Sequence, residues 1–154
     1  MFMHIVICEP EIPQNTGNIA RTCALTRTDL HLVKPLGFSL ADKYMKRAGL
    51  DYWDKVKVTL WDNLAGCQKH LGHCPWYFAT TKTRKLYDKI KYAENSVLVF
   101  GSESRGLDEK ILAENRERLI RIPMLDIGRS LNLSNAAAIV LYEAIRQNRF
   151  PGLS

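Results

Sequence analysis

The chain has 154 residues, of which 46% are hydrophobic, and its 22 basic and 16 acidic side chains give a formal net charge of +6. This length and apolar content predict one domain over residues 1–154, with a core that needs no disulfide or structural metal. No apolar run approaches the roughly 18 residues of a membrane span, and no signal-peptide pattern opens the chain, so a cytoplasmic location without membrane contact is expected.

Six strand patterns alternate with five helical patterns along the chain. Strands are predicted over residues 4–9, 30–34, 56–60, 76–80, 96–100 and 119–122, and helices over residues 18–26, 42–49, 63–71, 108–117 and 134–148. Several strands, such as Val97-Leu98-Val99-Phe100, are continuous apolar runs, which are typical of parallel strands covered on both faces. The alternation therefore predicts an α/β fold with a mostly parallel sheet flanked by helices.

The last predicted helix carries an apolar stripe at helical spacing. Its members are Ala137, Val140, Leu141, Ala144 and Ile145, and such a stripe indicates one buried helix face. We interpret it as packing on the protein's own core, although the small side chains at 136–138 would also let another helix approach closely.

Three of the predicted strands run into loops of small and amide residues. The loops cover residues 13–21, 101–107 and 129–135. Ligands of open α/β sheets bind where loops leave the carboxyl ends of the strands. The sequence therefore predicts one composite site for a small ligand that accepts and donates many hydrogen bonds.

The second loop has the G-x-x-x-x-G spacing of a phosphate-binding loop between Gly101 and Gly106. The match fails at Leu107-Asp108, where lysine and serine or threonine are needed. Glu103 also places a carboxylate where it would repel phosphate, which argues against a nucleoside triphosphate. Glu103 either contacts a ribose hydroxyl, an amine or a cation of the ligand, or organises the turn before the helix that begins at Asp108.

The other two loops combine helix-capping residues with one cation each. Asn15 and Asn132 are typical of turns and helix N-caps. Arg21 lies among apolar and small neighbours, which favours service to a site over an ordinary solvated charge. The segment 129–132 places a cation, a hydroxyl and an amide before a helix start, where free N–H groups attract anions.

Neither metal nor triad chemistry is predicted for these loops. All four histidines lie outside them, no histidine pair has zinc-ligand spacing, and the four cysteines form no C-x-x-C pair and are expected to be buried and reduced. A stretch over residues 82–92 instead has five cations and two tyrosines, which suits RNA phosphates and an unstacked base, or else a solvated face. A second basic cluster is Lys43, Lys46 and Arg47.

These segments, taken together, resemble a known family. The three loops are similar, in order, to the three motifs of the SPOUT RNA methyltransferases, and more closely to the small tRNA (cytidine/uridine-34 2′-O)-methyltransferases of the TrmL or YibK type. The resemblance covers residues 4–152, with departures at 82–92 and 125–128. The matching residues are 9–13, 15–21, 47–52, 100–101, Glu103, 105–107, 122–124, 130–135 and 142–144.

The resemblance implies a fold and a cofactor. The fold is the SPOUT fold, with a deep trefoil knot in the C-terminal part, and the protein would be a homodimer with its site near the subunit interface. S-adenosylmethionine would bind without a metal, largely through backbone groups of Ala79, Thr80, Gly101, Ile122, Ser130 and Leu131. Glu103 and the missing P-loop lysine agree with this ligand, because it carries a cationic sulfur and no phosphate.

The implied reaction methylates the ribose 2′-oxygen of wobble nucleotide 34 in the anticodon stem-loop of a tRNA. Arg21 is expected to stabilise the developing alkoxide and position phosphate, and the alternative role as a literal base is disfavoured because guanidinium stays protonated. Ser130 and Asn132 would orient the hydroxyl or the phosphate, Asn15 would hold the first loop, and Glu103 would steady the loops or Arg21.

Other functions stay open at this point. The chain could be a non-catalytic RNA-binding protein of the same fold, or a 2′-O-methyltransferase of another tRNA or rRNA site. A different α/β nucleotide-binding enzyme is disfavoured by the failed phosphate loop and by the lack of G-x-G-x-x-G. The intact set of three loops favours the enzyme, whereas cytidine and uridine at position 34 are not distinguished.

Overall fold

The computed structural model describes residues 2–41, 43, 47 and 52–154. Within them the strands are β1 (His4–Cys8), β2 (Asp29–Val33), β3 (Val58–Trp61), β4 (Trp76–Ala79), β5 (Val97–Phe100) and β6 (Leu119–Ile120). The helices are α1 (Pro13–Thr26), α2 (Leu64–His70), α3 (Glu109–Glu114) and α4 (Leu133–Gln147), with 3₁₀ turns at Trp53–Lys55, Tyr87–Lys89 and Arg116–Arg118.

The six strands form one sheet with the order β3-β2-β1-β5-β4-β6. Every pairing between neighbouring strands is parallel, so the predicted α/β fold with a parallel sheet is confirmed. Because parallel strands share one direction, the loops that follow β1, β4, β5 and β6 all leave from the same edge of the sheet. This edge is where the sequence places the three loops.

The central strands are buried on both faces, as their continuous apolar runs predict. Ile5, Ile7, Leu98 and Phe100 belong to the core layer that also contains residues of α1 and α4. The alternate residues of the same strands, including Val6, Val97 and Val99, belong to a second layer with Cys67 of α2 and Leu112 of α3. The apolar side chains thus hold helices against both sides of the sheet.

The apolar stripe of α4 packs on the core. Ala137, Val140, Leu141, Ala144 and Ile145 are all at most 4% exposed, which confirms the interpretation from sequence. Burial of a large aliphatic side chain stabilises a fold by roughly 1.5–3 kcal/mol, so this stripe anchors the helix whose first turn borders the third loop.

The predicted and observed boundaries differ most at α1. This helix begins at Pro13, five residues before the predicted start at residue 18. Proline suits the first helical position because its fixed φ matches the helix and its missing N–H would be unpaired there. Asn15 is therefore helical, and the prediction that it forms a turn or a helix N-cap is wrong.

Two further predictions differ in extent. β3 begins two residues later than predicted, and β6 has only two residues. The helix predicted over 42–49 lies largely outside the described residues, of which Lys43 and Arg47 are helical and exposed.

The four cysteines are free and buried, as expected. Burial raises the pKa of the Cys8 thiol to about 12, so this thiol stays protonated and packs as a small apolar group. None of the helices within the described part of the chain is long and apolar enough to cross a membrane.

Candidate active site at the carboxyl edge of the sheet

The three loops surround one cavity of about 470 Å³ at the carboxyl edge of the sheet. Its wall is formed by the ends of β4 and β5, the segment after β6, and the first turns of α1 and α4. All six residues that were expected to hold the cofactor border it, and so do four of the five expected catalytic residues: Ala79, Thr80, Gly101, Ile122, Ser130, Leu131, Asn15, Glu103 and Asn132.

The second loop folds back on itself. The Gly106 N–H donates to the Ser102 carbonyl at 2.9 Å. A Cβ atom on Gly101 would lie 2.0 Å from the Gly106 carbonyl carbon, so any side chain at position 101 would displace the loop. This close approach of the loop to its own backbone explains the glycine at position 101 without a phosphate.

Glu103 holds the start of α1. Its carboxylate accepts hydrogen bonds from the backbone N–H groups of Glu11 at 2.9 Å and Ile12 at 2.5 Å, and from the Asn15 side-chain amide at 3.3 Å. The N-cap residue Ile12 has no side-chain acceptor for the free N–H groups of this helix, so a different loop supplies the acceptor. These hydrogen bonds of the Glu103 side chain go to the start of α1, whereas Asp108 caps α3.

A second carboxylate makes the reciprocal contact. Glu11 Oε1 accepts hydrogen bonds from the Ser104 N–H at 3.2 Å and the Ser104 hydroxyl at 2.6 Å. The hydrogen bonds from Ser104 hold the pKa of the Glu11 carboxyl below its usual value. The first and second loops are therefore joined by two carboxylates, Glu103 from the second loop and Glu11 from the segment before α1. Neither Glu11 nor Ser104 was predicted from the sequence as a contact of the site.

Asn132 joins the third loop to the first. Its side-chain amide donates to Asn15 Oδ1 at 3.0 Å, and its Oδ1 accepts from the N–H groups of Ser134 at 2.9 Å and Asn135 at 3.3 Å. Asn132 is thus the N-cap of α4 and also a contact of the site. Asn15, which is 5% exposed, bonds to both Glu103 and Asn132, so a continuous chain of polar side chains links all three loops.

Arg21 lies apart from this cavity. It is exposed on the outer face of α1, while its neighbours Ile19, Ala20 and Cys23 are buried on the opposite face. Its guanidinium carbon lies 5.1 Å from the centroid of the Tyr52 ring. The structure therefore brings four of the five predicted catalytic residues together and places the fifth outside the cavity.

The basic stretch over residues 82–92 is only partly a solvated surface. Arg84, Lys85, Lys89 and Lys91 are exposed, whereas Lys82 borders the cavity and pairs with Glu109. Tyr92 is 3% exposed and belongs to the core, and burial raises its pKa. Tyr92 is therefore not available to stack on an unstacked RNA base.

A group with metal-ligand spacing lies at the opposite edge of the sheet. One ligand atom from each of His4, Asp29 and His31 lies within 4.8 Å of the other two. The Trp61 indole N–H donates to His31 Nδ1 at 3.0 Å, which puts the His31 proton on Nε2, where it points to His4 Nδ1 at 3.1 Å. The geometry favours a hydrogen-bond chain over a metal, because a metal would need the Nε2 lone pair.

Comparison with known families shows the family of this chain. A sequence model of the SpoU rRNA methylase family matches residues 3–142. The chain belongs to this family. The resemblance to RNA methyltransferases is thereby confirmed, and this SpoU-family chain is expected to share their chemistry.

Individual relatives of the SpoU-family chain match over nearly its whole length. It is 50% identical to the tRNA (cytidine(34)-2′-O)-methyltransferase of Methylovorus glucosotrophus, over 96% of this chain and 97% of the relative. A solved structure concerning the 2′-OH methylation of C/U34 on tRNA superimposes with a TM-score of 0.91 at 42% identity and covers 96% of this chain and 97% of that chain.

A more distant SpoU-family neighbour shares the fold. The AdoMet-bound rRNA methyltransferase from Sinorhizobium meliloti superimposes with a TM-score of 0.83 at 23% identity, over 94% of this chain and 56% of that chain. At this identity the likeness shows the common α/β architecture alone.

Proposed function

We propose that this protein transfers the methyl group of S-adenosylmethionine to the ribose 2′-oxygen of nucleotide 34, a cytidine or a uridine, in tRNA. The observation that carries the proposal is the single cavity formed by the three loops in a chain that matches a tRNA (cytidine(34)-2′-O)-methyltransferase over nearly its whole length. The further proposals below concern the cofactor, the RNA and the assembly.

The cavity fits S-adenosylmethionine on three counts. Its volume of about 470 Å³ lies within the roughly 300–1,000 Å³ of small-molecule sites. Gly101 borders the cavity and presents no side chain. The loop contains Glu103 and lacks a P-loop lysine, which suits a cationic ligand without phosphate. Ala79, Thr80, Gly101, Ile122, Ser130 and Leu131 would hold it.

Bound S-adenosylmethionine supplies an electrophilic methyl group on a sulfonium. The 2′-oxygen would take this methyl group from the sulfur, and the hydroxyl proton would pass to solvent. The protein's part is to align the hydroxyl and stabilise the developing alkoxide. Ser130 and Asn132 would orient the hydroxyl or its phosphate, and Arg21, which lies on α1 outside the cavity, would supply a permanent positive charge to the bound RNA.

Asn15 and Glu103 would act indirectly in this scheme, by positioning other residues. Glu103 accepts from the N–H groups that begin α1, and Asn15 bonds to both Glu103 and Asn132. They therefore set the position of the helix that carries Arg21 relative to the cavity.

A homodimer with a knotted C-terminal part is the proposed assembly, in a single domain that acts in the cytoplasm. Exposed apolar side chains on the helices support a second copy as a partner: Leu25 on α1 is 56% exposed, and Ile139 and Tyr142 on α4 are 37% and 44% exposed. Sedimentation at assay concentration tests this, and a monomeric active species would contradict it.

The function is tested by methyl transfer from labelled S-adenosylmethionine to tRNA, followed by mapping of 2′-O-methyl groups. We expect the label at nucleotide 34 and none in a matched tRNA whose nucleotide 34 is 2′-deoxy. The name of the family favours one rival, an rRNA target. Label in rRNA and not in tRNA would support that rival, and binding of RNA without any transfer would support a non-catalytic protein.

A further inference from the structure

Tyr52 lies against the cationic group of Arg21 on the outer face of α1. The distance of 5.1 Å between the guanidinium carbon and the ring centroid is within the roughly 6 Å of a cation–π contact. Among the ion pairs of the described residues, none involves Arg21. Within the described residues, the face of the Tyr52 ring is thus the contact that the structure shows for this guanidinium.

The Tyr52 backbone is itself fixed to the body of the protein. Tyr52 is the N-cap of the 3₁₀ turn Trp53–Lys55, and its carbonyl accepts from the Lys55 N–H at 2.9 Å. The next residue, Trp53, is partly buried against the core layer of α1 and α4. A ring with two rotatable bonds on an anchored turn is much more rigid than a free arginine side chain.

An aromatic neighbour has a property that a carboxylate lacks. An aspartate or glutamate beside Arg21 would neutralise the charge that a developing alkoxide needs. The face of a phenol ring attracts the guanidinium and leaves its N–H groups free at the edge to bond with RNA oxygens. The contact thus orients the cation without cancelling its charge.

We propose that Tyr52 is a positioning residue for methyl transfer, acting through Arg21 by the face of its ring. This inference rests on the proposed function and on the role of Arg21 in it. It adds Tyr52 to the residues of the proposed reaction. The orientation of the Arg21 guanidinium would then be set by a segment outside the three loops.

The test compares Tyr52→Leu, which lacks the ring, with Tyr52→Phe, which keeps the ring and loses only the hydroxyl. We expect kcat of Tyr52→Leu to fall about two- to thirtyfold, because this factor corresponds to the free energy of a cation–π contact of ordinary strength. The KM for S-adenosylmethionine should not change, because Tyr52 does not border the cavity. Tyr52→Phe should retain the wild-type kcat and pH profile. Tyr52→Gln serves as the ring-free variant if Tyr52→Leu does not fold.

A double variant separates positioning from general damage to the fold. In an Arg21→Ala background, Tyr52→Leu should cause no further loss in single-turnover rate. A further loss by the same factor, or a Tyr52→Phe variant as slow as Tyr52→Leu, would overturn the inference. If Tyr52→Leu is fully active while Arg21→Ala is inactive, the inference about Tyr52 is overturned and the proposed function stands. A wild-type protein that transfers no methyl group would overturn the proposed function with it.

Discussion

Lowering the pH from 7 to 5 should destabilise the protein through the histidine chain at the amino end of the sheet. His31 is 3% exposed and accepts the indole N–H of Trp61 while its own Nε2 faces His4. Burial, with smaller contributions from His4, Lys57 and His70, lowers the pKa of His31 to about 3. A proton on this ring would have to displace one of its two hydrogen bonds.

The sign and size follow from proton linkage. Because the pKa of His31 is lower in the folded than in the unfolded chain, the unfolded chain takes up the proton first. The stability is fully present above about pH 6.5 and is lost as the pH falls towards 3. Between pH 6.5 and 5 the loss is 1.36 kcal/mol per pH unit, about 2 kcal/mol from this one group. The lowered pKa of His4 acts in the same direction.

The measurement is urea denaturation at pH 7, 6 and 5 and at fixed protein concentration, for the wild type and for His31→Gln. The variant has a lower stability at every pH, so the informative quantity is the change of each protein between pH 7 and 5. We expect the variant to lose about 2 kcal/mol less than the wild type. Equal losses in the two proteins would show that His31 takes up its proton in the folded state and would refute the reasoning.

The remaining predictions concern the site and the RNA. Arg21→Ala should lower the transfer rate on the order of a hundredfold with cofactor binding retained. Arg21→Lys should also be inactive, because lysine lacks the planar fork of the guanidinium. Near-normal turnover of either variant would exclude Arg21 from the mechanism. Gly101→Ala should abolish cofactor binding in calorimetry, because the new methyl group would overlap Gly106, and normal binding would contradict the described loop. Neutralising Arg84 and Lys85 together should lower the slope of log affinity for tRNA against log salt by about 1.4–1.8 at unchanged cofactor affinity; identical slopes would place the RNA elsewhere. A chelator should leave methyl transfer unchanged, and loss of activity that a divalent ion restores would refute a metal-free site.

The sheet and the cavity follow from short-range patterns that the sequence displays. Continuous apolar runs such as 97–100 predict parallel strands, and parallel strands bring their loops to one edge. For this reason Asn15, Glu103 and Asn132 could be assigned to one site although they are far apart in the chain. The helix start at Pro13 was also accessible, because proline before a run of helical residues indicates the first turn.

The partners of individual side chains were not accessible in the same way. Glu103 bonds to the backbone of residues 11 and 12, and a backbone N–H has no sequence signature. The contact between Arg21 and Tyr52 depends on where the segment after residue 51 returns to α1. The grouping of His4 with His31 depends on strand register, in which His4 pairs with Asp29, and one-residue shifts would separate the rings.

The polar chain through the three loops has a consequence for synthesis on the ribosome. Asn15 bonds to Glu103 across 88 residues of sequence and to Asn132 across 117. A nascent chain can present the first and second loops early, yet the cavity lacks the wall formed by residues 130–133 until the start of the last helix has emerged. Chains that end before residue 130 therefore lack one wall of the cavity, so a complete cavity requires translation into the last helix.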